Sequence, residues 1–408
     1  MRKVAIELMT VTPLFLGGSD PRSGQPPELR PPSFRGAMRY WYRAALGGVV
    51  GDNWQEVRKL EGKVFGITSE GGEGKSQGSD QGMGSPVSVR ISSVENLSSQ
   101  DYQKGRQKPP PGKDYLFWSL AESGSRERGN YQPARKYIQE GKTFSVVLAS
   151  RFSHNPSSYE LRHAVYAFWL AVHLGGIGAR SRRMAGSLIP KKVQTIEGVT
   201  FGVGSSEIES VVEYLKENIQ IIRENIKQDL GLNPKPPGGQ FSRYDVLNPQ
   251  YCQIWVLGVY PNSETALNEV GSKLRDFRNR RDPDHREVYK WLSNKQKIKT
   301  VERSQFGLPL VYRYTNGPSG TIIARLQQGG ESDKIERRAS PLWLSALRCG
   351  DGRIAVTAVL FRSQLLPTEA KLAIDRKEFI PAISQPAGLN LIEEWINSFP
   401  SRQEVRYE

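Results

Sequence analysis

Val4, Ile6 and Leu8 recur at every second position near the start of the chain, the period-two pattern of a half-buried strand. Arg2 and Lys3 precede this run as they would in a secretory leader, but Glu7, Thr10 and Thr12 interrupt it and Pro13 follows early. The segment therefore reads as structure. After the loop Leu16-Gly17-Gly18-Ser19-Asp20-Pro21 the period becomes helical: from Phe34 to Leu46, Phe34, Ala37, Met38, Trp41, Ala44 and Ala45 fall on one arc, and Arg35, Arg39 and Arg43 on another. Ser33 is placed to cap this helix, with Pro31 and Pro32 holding its entry extended.

Phe144 to Leu148 predicts a strand, and Ser157-Ser158-Tyr159-Glu160 a capping box. The helix it opens buries Leu161, Ala164, Val165, Phe168 and Val172 and ends at Gly175. A strand around Val193 to Val203 and an amphipathic helix over Ser206 to Leu230 follow, and the Gly/Pro-rich stretch 231–239 marks a boundary. Beyond it the pattern predicts strands at Cys252 to Tyr260, Pro309 to Tyr314, Leu342 to Arg348 and Ile354 to Phe361, with helices at Glu264 to Arg278 and Leu389 to Phe399. This is an α+β fold with helices against one sheet face. It divides into a first domain over 1–204, a connecting helix and linker over 205–240, and a second domain over 241–408. Within the first, an insertion spans roughly 66–115, including a Gly/Ser-rich tract at 69–85 and a basic, extended piece at 104–111.

Charge adds a direction. Lys+Arg number 57 against Asp+Glu 42, a formal net charge of +15. The imbalance is local as well: no acid lies between Glu160 and Glu197, or from Pro31 through Gly51. The first of these acid-free stretches holds Arg162, Arg180, Arg182, Arg183, Lys191 and Lys192 around the glycines Gly175, Gly176, Gly178 and Gly186. Glycines let a backbone approach a phosphate and arginines add charge, so an extended polyanion is the expected partner. For the Arg35, Arg39 and Arg43 stripe two readings stand side by side, a solvated face and a phosphate-binding one. Tyr40-Trp41-Tyr42-Arg43, Tyr312-Arg313-Tyr314 and the run from Arg275 to Arg281 interleave rings with cations, a mode suited to unpaired bases; Trp41 falls on the core arc, leaving Tyr40 and Tyr42 as the contact candidates.

Catalytic signals are few. The four histidines, His154, His163, His173 and His285, lack metal-pair spacing and read as structural. Cys252 and Cys349 are too few for a disulfide framework or a cysteine zinc site, which suggests a reducing cytoplasm. Gly74-Lys75-Ser76 lacks the first glycine of a P-loop, since Ser69 stands there. Asp20 could hold a metal or initiate a turn before Pro21. No cofactor motif and no membrane-spanning apolar run occurs.

Taken together, Thr12-Pro13-Leu14-Phe15-Leu16-Gly17-Gly18, the segment Leu29-Arg30-Pro31-Pro32-Ser33-Phe34-Arg35-Gly36-Ala37-Met38-Arg39-Tyr40-Trp41-Tyr42-Arg43, Val64-Phe65-Gly66 and the loop from Gly175 to Leu188 resemble the RAMP superfamily of CRISPR effector complexes. Phe306-Gly307-Leu308-Pro309 and Arg337-Arg338-Ala339-Ser340-Pro341-Leu342 extend the likeness to the family of first subunits of type III-B Cmr complexes. The resemblance implies two ferredoxin-like, RRM-related domains with antiparallel sheets. It also implies a noncatalytic, RNA-binding role in antiviral defence, at the end of the complex that holds the guide RNA 3′ portion. Its partners would be guide RNA, single-stranded target RNA and other RAMP subunits. On this reading Arg30, Arg35, Arg39, Arg43, Gly175, Gly176, Gly178, Arg180, Arg182, Arg183, Lys191 and Lys192 bind RNA. The alternatives are a metal-dependent RNase using Asp20, because backbone RAMP subunits cleave with a loop aspartate, and a basic protein-interaction module.

Overall fold

The computed structural model describes residues 2–18, 24–67, 82–92, 97, 99–151, 159–235, 238–279, 282–328, 331–335, 337–375 and 382–407. Asp20, His154, Ser157, Ser158, Gly74-Lys75-Ser76, Arg280 and Arg281 lie outside the described residues.

The first half runs β1 (Lys3–Thr10), α1 (Pro31–Val50), α2 (Trp54–Phe65), β2 (Val87–Ser92), β3 (Ser99–Asp101), α3 (Gly112–Phe117), β4 (Lys136–Ile138), β5 (Thr143–Ser150), α4 (Glu160–His173) and β6 (Leu188–Pro190). The hairpin β7 (Gln194–Ile196) and β8 (Val199–Phe201) and the long α5 (Ile208–Leu230) follow. The second half comprises β9 (Cys252–Tyr260), α6 (Ser263–Asn279), α7 (Asp284–Asn294), β10 (Leu310–Arg313), β11 (Ser319–Gln328), β12 (Glu331–Ile335), β13 (Leu342–Arg348), β14 (Ile354–Phe361), β15 (Ala370–Ile374), α8 (Asn390–Asn397) and β16 (Gln403–Glu404).

The first sheet has order β2-β5-β1-β6 and the second β13-β14-β9-β16, all pairs antiparallel. Renumbered within each half, both orders are 2-3-1-4 on a strand-helix-strand-strand-helix-strand frame. The two halves therefore repeat one topology. A third sheet, β10-β11-β12 with β15 beside β11, is inserted between α6 and the end of the second frame and closes its own core around Trp291, Ile322 and Leu372.

Packing ties the halves together. Along β14, Ala355, Val359 and Phe361 enter the core of the first half, where Trp41, Phe168 and Ile219 lie, while Val356, Ala358 and Leu360 enter a second core with Leu267 of α6 and Trp395 of α8. The second sheet is thus covered on both faces, by its own helices on one and by the first half on the other, instead of on one face as the sequence suggests. This explains why every residue of β14 is buried and reads as continuously apolar or small. Helix α5, read as a connector, gives Val211, Leu215, Ile219, Ile222 and Ile226 to the shared core.

Local expectations are refined at three places. Helix α1 starts at Pro31, so Arg30 and not Ser33 is its cap residue, and both prolines occupy the first turn, where no N–H is needed. The expected strand over Val193 to Val203 is a hairpin, since Glu197 and Gly198 take φ of 51° and 87°. Gly231 ends α5 in the left-handed region, its N–H bonding the Gln228 and Lys227 carbonyls.

Candidate nucleic-acid interface

Helix α4 runs directly into the glycine-rich loop. There the chain folds back on the segment after β1: Ala179 N–H donates to the Phe15 carbonyl (2.9 Å), Gly186 N–H to that of Pro13 (2.9 Å) and Ile177 N–H to that of Gly186 (3.0 Å). A β-carbon on Gly178, at φ +90°, would stand 2.4 Å from the Phe15 carbonyl oxygen; one on Gly186, at φ +67°, would stand 1.9 Å from that of Ile177. Gly175 makes room for the Trp41 indole and Gly176 for the Ala185 carbonyl. The glycines expected to admit a phosphate thus admit the protein's own backbone and Trp41 instead, because the loop is built by close approach within the fold. Gly175, Gly176 and Gly186 are buried, and Gly178 alone of the four is exposed.

What the tight loop presents outward is arginine. Arg180, itself at φ 60°, and Met184, at φ 66°, turn the short helical segment Ser181–Arg183 so that its side chains lean toward the second half. Arg180 donates from Nε and Nη2 to the Ser119 hydroxyl (3.0 and 2.6 Å), and its guanidinium lies 5.6 Å from the ring centre of Trp118. Arg183 donates to the Phe306 carbonyl (3.3 Å), and Arg278 of α6 to the Tyr115 hydroxyl (2.8 Å) while also lying over Phe306. These three guanidiniums have only neutral acceptors among the described residues. Burial first, then the neighbouring Arg278 and Arg180 charges, lower the Arg183 pKa to about 9; burial, then Arg278, likewise lowers that of Arg180. A group of like charges held together without a carboxylate is destabilised by its own repulsion, and an entering anion relieves it. Arg182 behaves differently: it packs over Trp343 and Tyr40, bonds the Ser340 carbonyl and has Asp245 at 3.8 Å.

The remaining sequence-predicted cations find partners far away in the chain. Arg39 and Arg43 both bind the buried Glu61 carboxylate, at 2.6 and 2.9 Å, while keeping more than a third of their own surface exposed. Arg35 sits beside Arg39 and Arg151 and donates to the Val87 carbonyl at 3.4 Å; burial, then those two cations, lower its pKa. Arg162 forms a two-pronged pair with Asp229, Lys191 a pair with Glu7 at 3.0 Å, and Arg30 a looser one with Glu28 at 3.7 Å; Lys192 is exposed. Tyr40 and Tyr42 do not serve as free rings. Tyr42 is fully buried against His163, and Tyr40 is held by Asp245 and by the Trp343 indole N–H (3.0 Å), because both lie where α1 meets other elements.

Sequence reasoning passed over Trp118 and Ser119. Nothing in their local pattern marks them; only the loop docking beside them does. Arg278 was legible as part of a basic, aromatic run, but not as a neighbour of Arg180.

His163 and His173 are internal struts. His163 Nε2–H donates to Asp229 (3.0 Å) and its Nδ1 accepts from the Tyr42 hydroxyl (2.8 Å); His173 Nδ1–H donates to the Trp169 carbonyl (2.9 Å) and Nε2 meets the Tyr214 hydroxyl (2.8 Å). Burial lowers both to about 4. Three carboxylates of the first half have identified donors: Asp114 accepts from Tyr102 and Gly105, Asp52 from Arg243 N–H, and Glu122 from Tyr131. Among the described residues, no three His, Cys, Asp or Glu side chains form a group that could hold a metal ion, and no helix is long and apolar enough to cross a membrane.

The sequence profile described as the RAMP superfamily matches residues 7–189. CRISPR system Cmr subunit Cmr1-1 of Pyrococcus furiosus is 26% identical over 343 residues, which are 84% of this chain and 82% of the relative. Subunit Cmr1-2 of the same organism is 30% identical over 206 residues, 48% of this chain and 97% of the relative. Among solved structures, apo Cmr1 from P. furiosus superposes with a TM-score of 0.59 at 21% identity, covering 100% of this chain and 99% of that one. A chain of the type III-B Cmr-beta complex bound to cognate target RNA gives 0.50 at 12% identity, covering 96% and 98%. Both share this fold. By profile, sequence relatives and fold, the chain belongs to the RAMP superfamily, in the Cmr1 family of CRISPR Cmr subunits.

Proposed function

We propose that this chain is a noncatalytic, RNA-binding subunit of a type III-B CRISPR RNA-guided effector complex, acting in antiviral defence in the cytoplasm. It caps the complex near the guide RNA 3′ end and contacts guide RNA, single-stranded target RNA and neighbouring RAMP subunits. Its family membership and its likeness to a chain of a target-RNA-bound complex support this reading. The repeated 2-3-1-4 strand order supports taking the halves as two ferredoxin-like domains. The observation that carries the RNA role is the group Arg180, Arg183 and Arg278, three guanidiniums with neutral acceptors where the halves meet. Arg35 of α1, with Arg151 close by, supplies a second cationic spot.

The test is the salt dependence of single-stranded RNA binding. Each phosphate neutralised on a single strand contributes about 0.7 to the slope of log K against log salt, so Arg180→Gln with Arg278→Gln flattens it by roughly 1.4. An unchanged slope in a folded double variant removes the cluster from the RNA path. For the noncatalytic part, complexes assembled with Asp20→Asn keep every target-cleavage product; loss of one product with RNA binding intact assigns Asp20 to a catalytic site.

A further inference from the structure

The exposed ring beside the arginine group points to a more specific ligand. Trp118 keeps 58% of its surface open, although it follows α3 in a turn whose neighbours Leu116, Phe117 and Leu120 are buried in the second core. The turn itself is tightly seated. Gly112, at the start of α3, packs against Gly271 of α6 so closely that a β-carbon on Gly271 would lie 2.2 Å from the Gly112 carbonyl oxygen. The indole is therefore exposed by a firmly anchored backbone. Its companion is fixed as well: Arg180 is held by two hydrogen bonds to Ser119, the next residue along, which keeps its guanidinium beside the indole.

A lone exposed tryptophan needs no explanation, but one presented on an anchored turn, beside an arginine with no carboxylate partner among the described residues, has the two parts of a nucleotide site. The open ring offers an aromatic surface of the kind on which unpaired bases stack, and the guanidinium offers charge to the adjoining phosphate. We propose that Trp118 is a stacking platform for an unpaired base of single-stranded RNA whose phosphates lie along Arg180, Arg183 and Arg278. This rests on the RNA-binding reading above and narrows it. In a duplex the bases stack on one another and their faces are closed to an indole, so this site takes a single strand or a base splayed from a guide–target duplex.

The experiment uses the full chain with single-stranded RNAs carrying 2-aminopurine at successive positions, whose fluorescence falls when the base stacks on an indole. The wild type quenches the probe. Trp118→Leu, which keeps apolar bulk without a π face, loses the quenching and binds about 5- to 150-fold more weakly, while the salt slope stays at the wild-type value because no charge is removed. Trp118→Phe retains most of the affinity, which shows that the fold tolerates substitution there. Wild-type affinity in Trp118→Leu overturns the proposal, as does an equal loss for fully paired duplex RNA. A Trp118→Leu chain that binds RNA normally but fails to join the complex also overturns it and makes Trp118 a subunit contact. If Arg180→Gln with Arg278→Gln leaves the salt slope unchanged, the broader RNA reading fails. If that variant flattens the slope and Trp118→Leu changes nothing, only the stacking platform is lost.

Discussion

Acidification offers a quantitative check on the interior that carries the arginine loop. His163 and His173 are fully buried on α4, and burial holds both near pKa 4, against about 6.5 for histidine in an unfolded chain. A depressed histidine pKa contributes stability that is complete above pH 6.5 and lost as pH falls toward 4, because the unfolded chain takes up protons that the folded one refuses. At pH 5 this is worth about 2 kcal/mol for each histidine relative to pH 7.5, or about 4 kcal/mol for both. Glu140 acts in the opposite sense. Burial raises its carboxyl pKa, so it favours the fold as pH falls and offsets part of that loss. Urea unfolding at pH 7.5 and 5.0 measures the difference, and NMR of the histidine Cε1–H resonances identifies its source. The expected result is a marked loss of stability with two imidazoles that do not titrate above pH 5. A flat stability profile, with all imidazoles titrating near 6.5, would refute the assignment of His163 and His173 as neutral buried struts.

Two substitutions probe the surrounding framework. Glu61→Gln removes the carboxylate shared by Arg39 and Arg43; since both arginines are partly solvated, the stability loss is only about 1–2 kcal/mol. The freed guanidiniums then steepen the salt slope of RNA binding by roughly 0.7 to 1.4, and an unchanged slope leaves them as a solvated face. Gly186→Ala forces a β-carbon to 1.9 Å from the Ile177 carbonyl oxygen at positive φ, and its cost exceeds about 2 kcal/mol in thermal or urea unfolding. A Gly186→Ala protein as stable as the wild type would contradict the close backbone approach that shapes the loop.

Local periodicity made much of the fold legible. The boundaries of β9, β13 and β14 follow from their apolar runs, and the existence of α1, α4 and α5, though not the ends of α1, from helical spacing, since these patterns depend on residues within one or two turns of each other. Net charge, the acid-free stretches and the RAMP-like motifs were equally available from the chain alone. The third sheet was not: only its β10 strand carries a clear local signal, and β11, β12 and β15 are defined by pairing across distant segments. Hydrophobicity shows that a strand is buried but not what covers each of its faces, so the shared core of the two halves emerges only in three dimensions. Ion pairing is more strongly nonlocal. Arg39 lies in an acid-free stretch yet meets Glu61, and Arg162 meets Asp229 across 67 positions, whereas Arg180, Arg183 and Arg278 come together with only neutral acceptors among the described residues. A glycine likewise reports that something comes close without saying what. At Gly178 it is the carbonyl of Phe15, and the loop turned by that contact places Arg180 beside Trp118. The sequence determined which residues are basic, apolar or conformationally free; tertiary contact decided which cations keep their charge available, because an acid that folding brings within 3 Å cancels what an acid-free sequence window suggests.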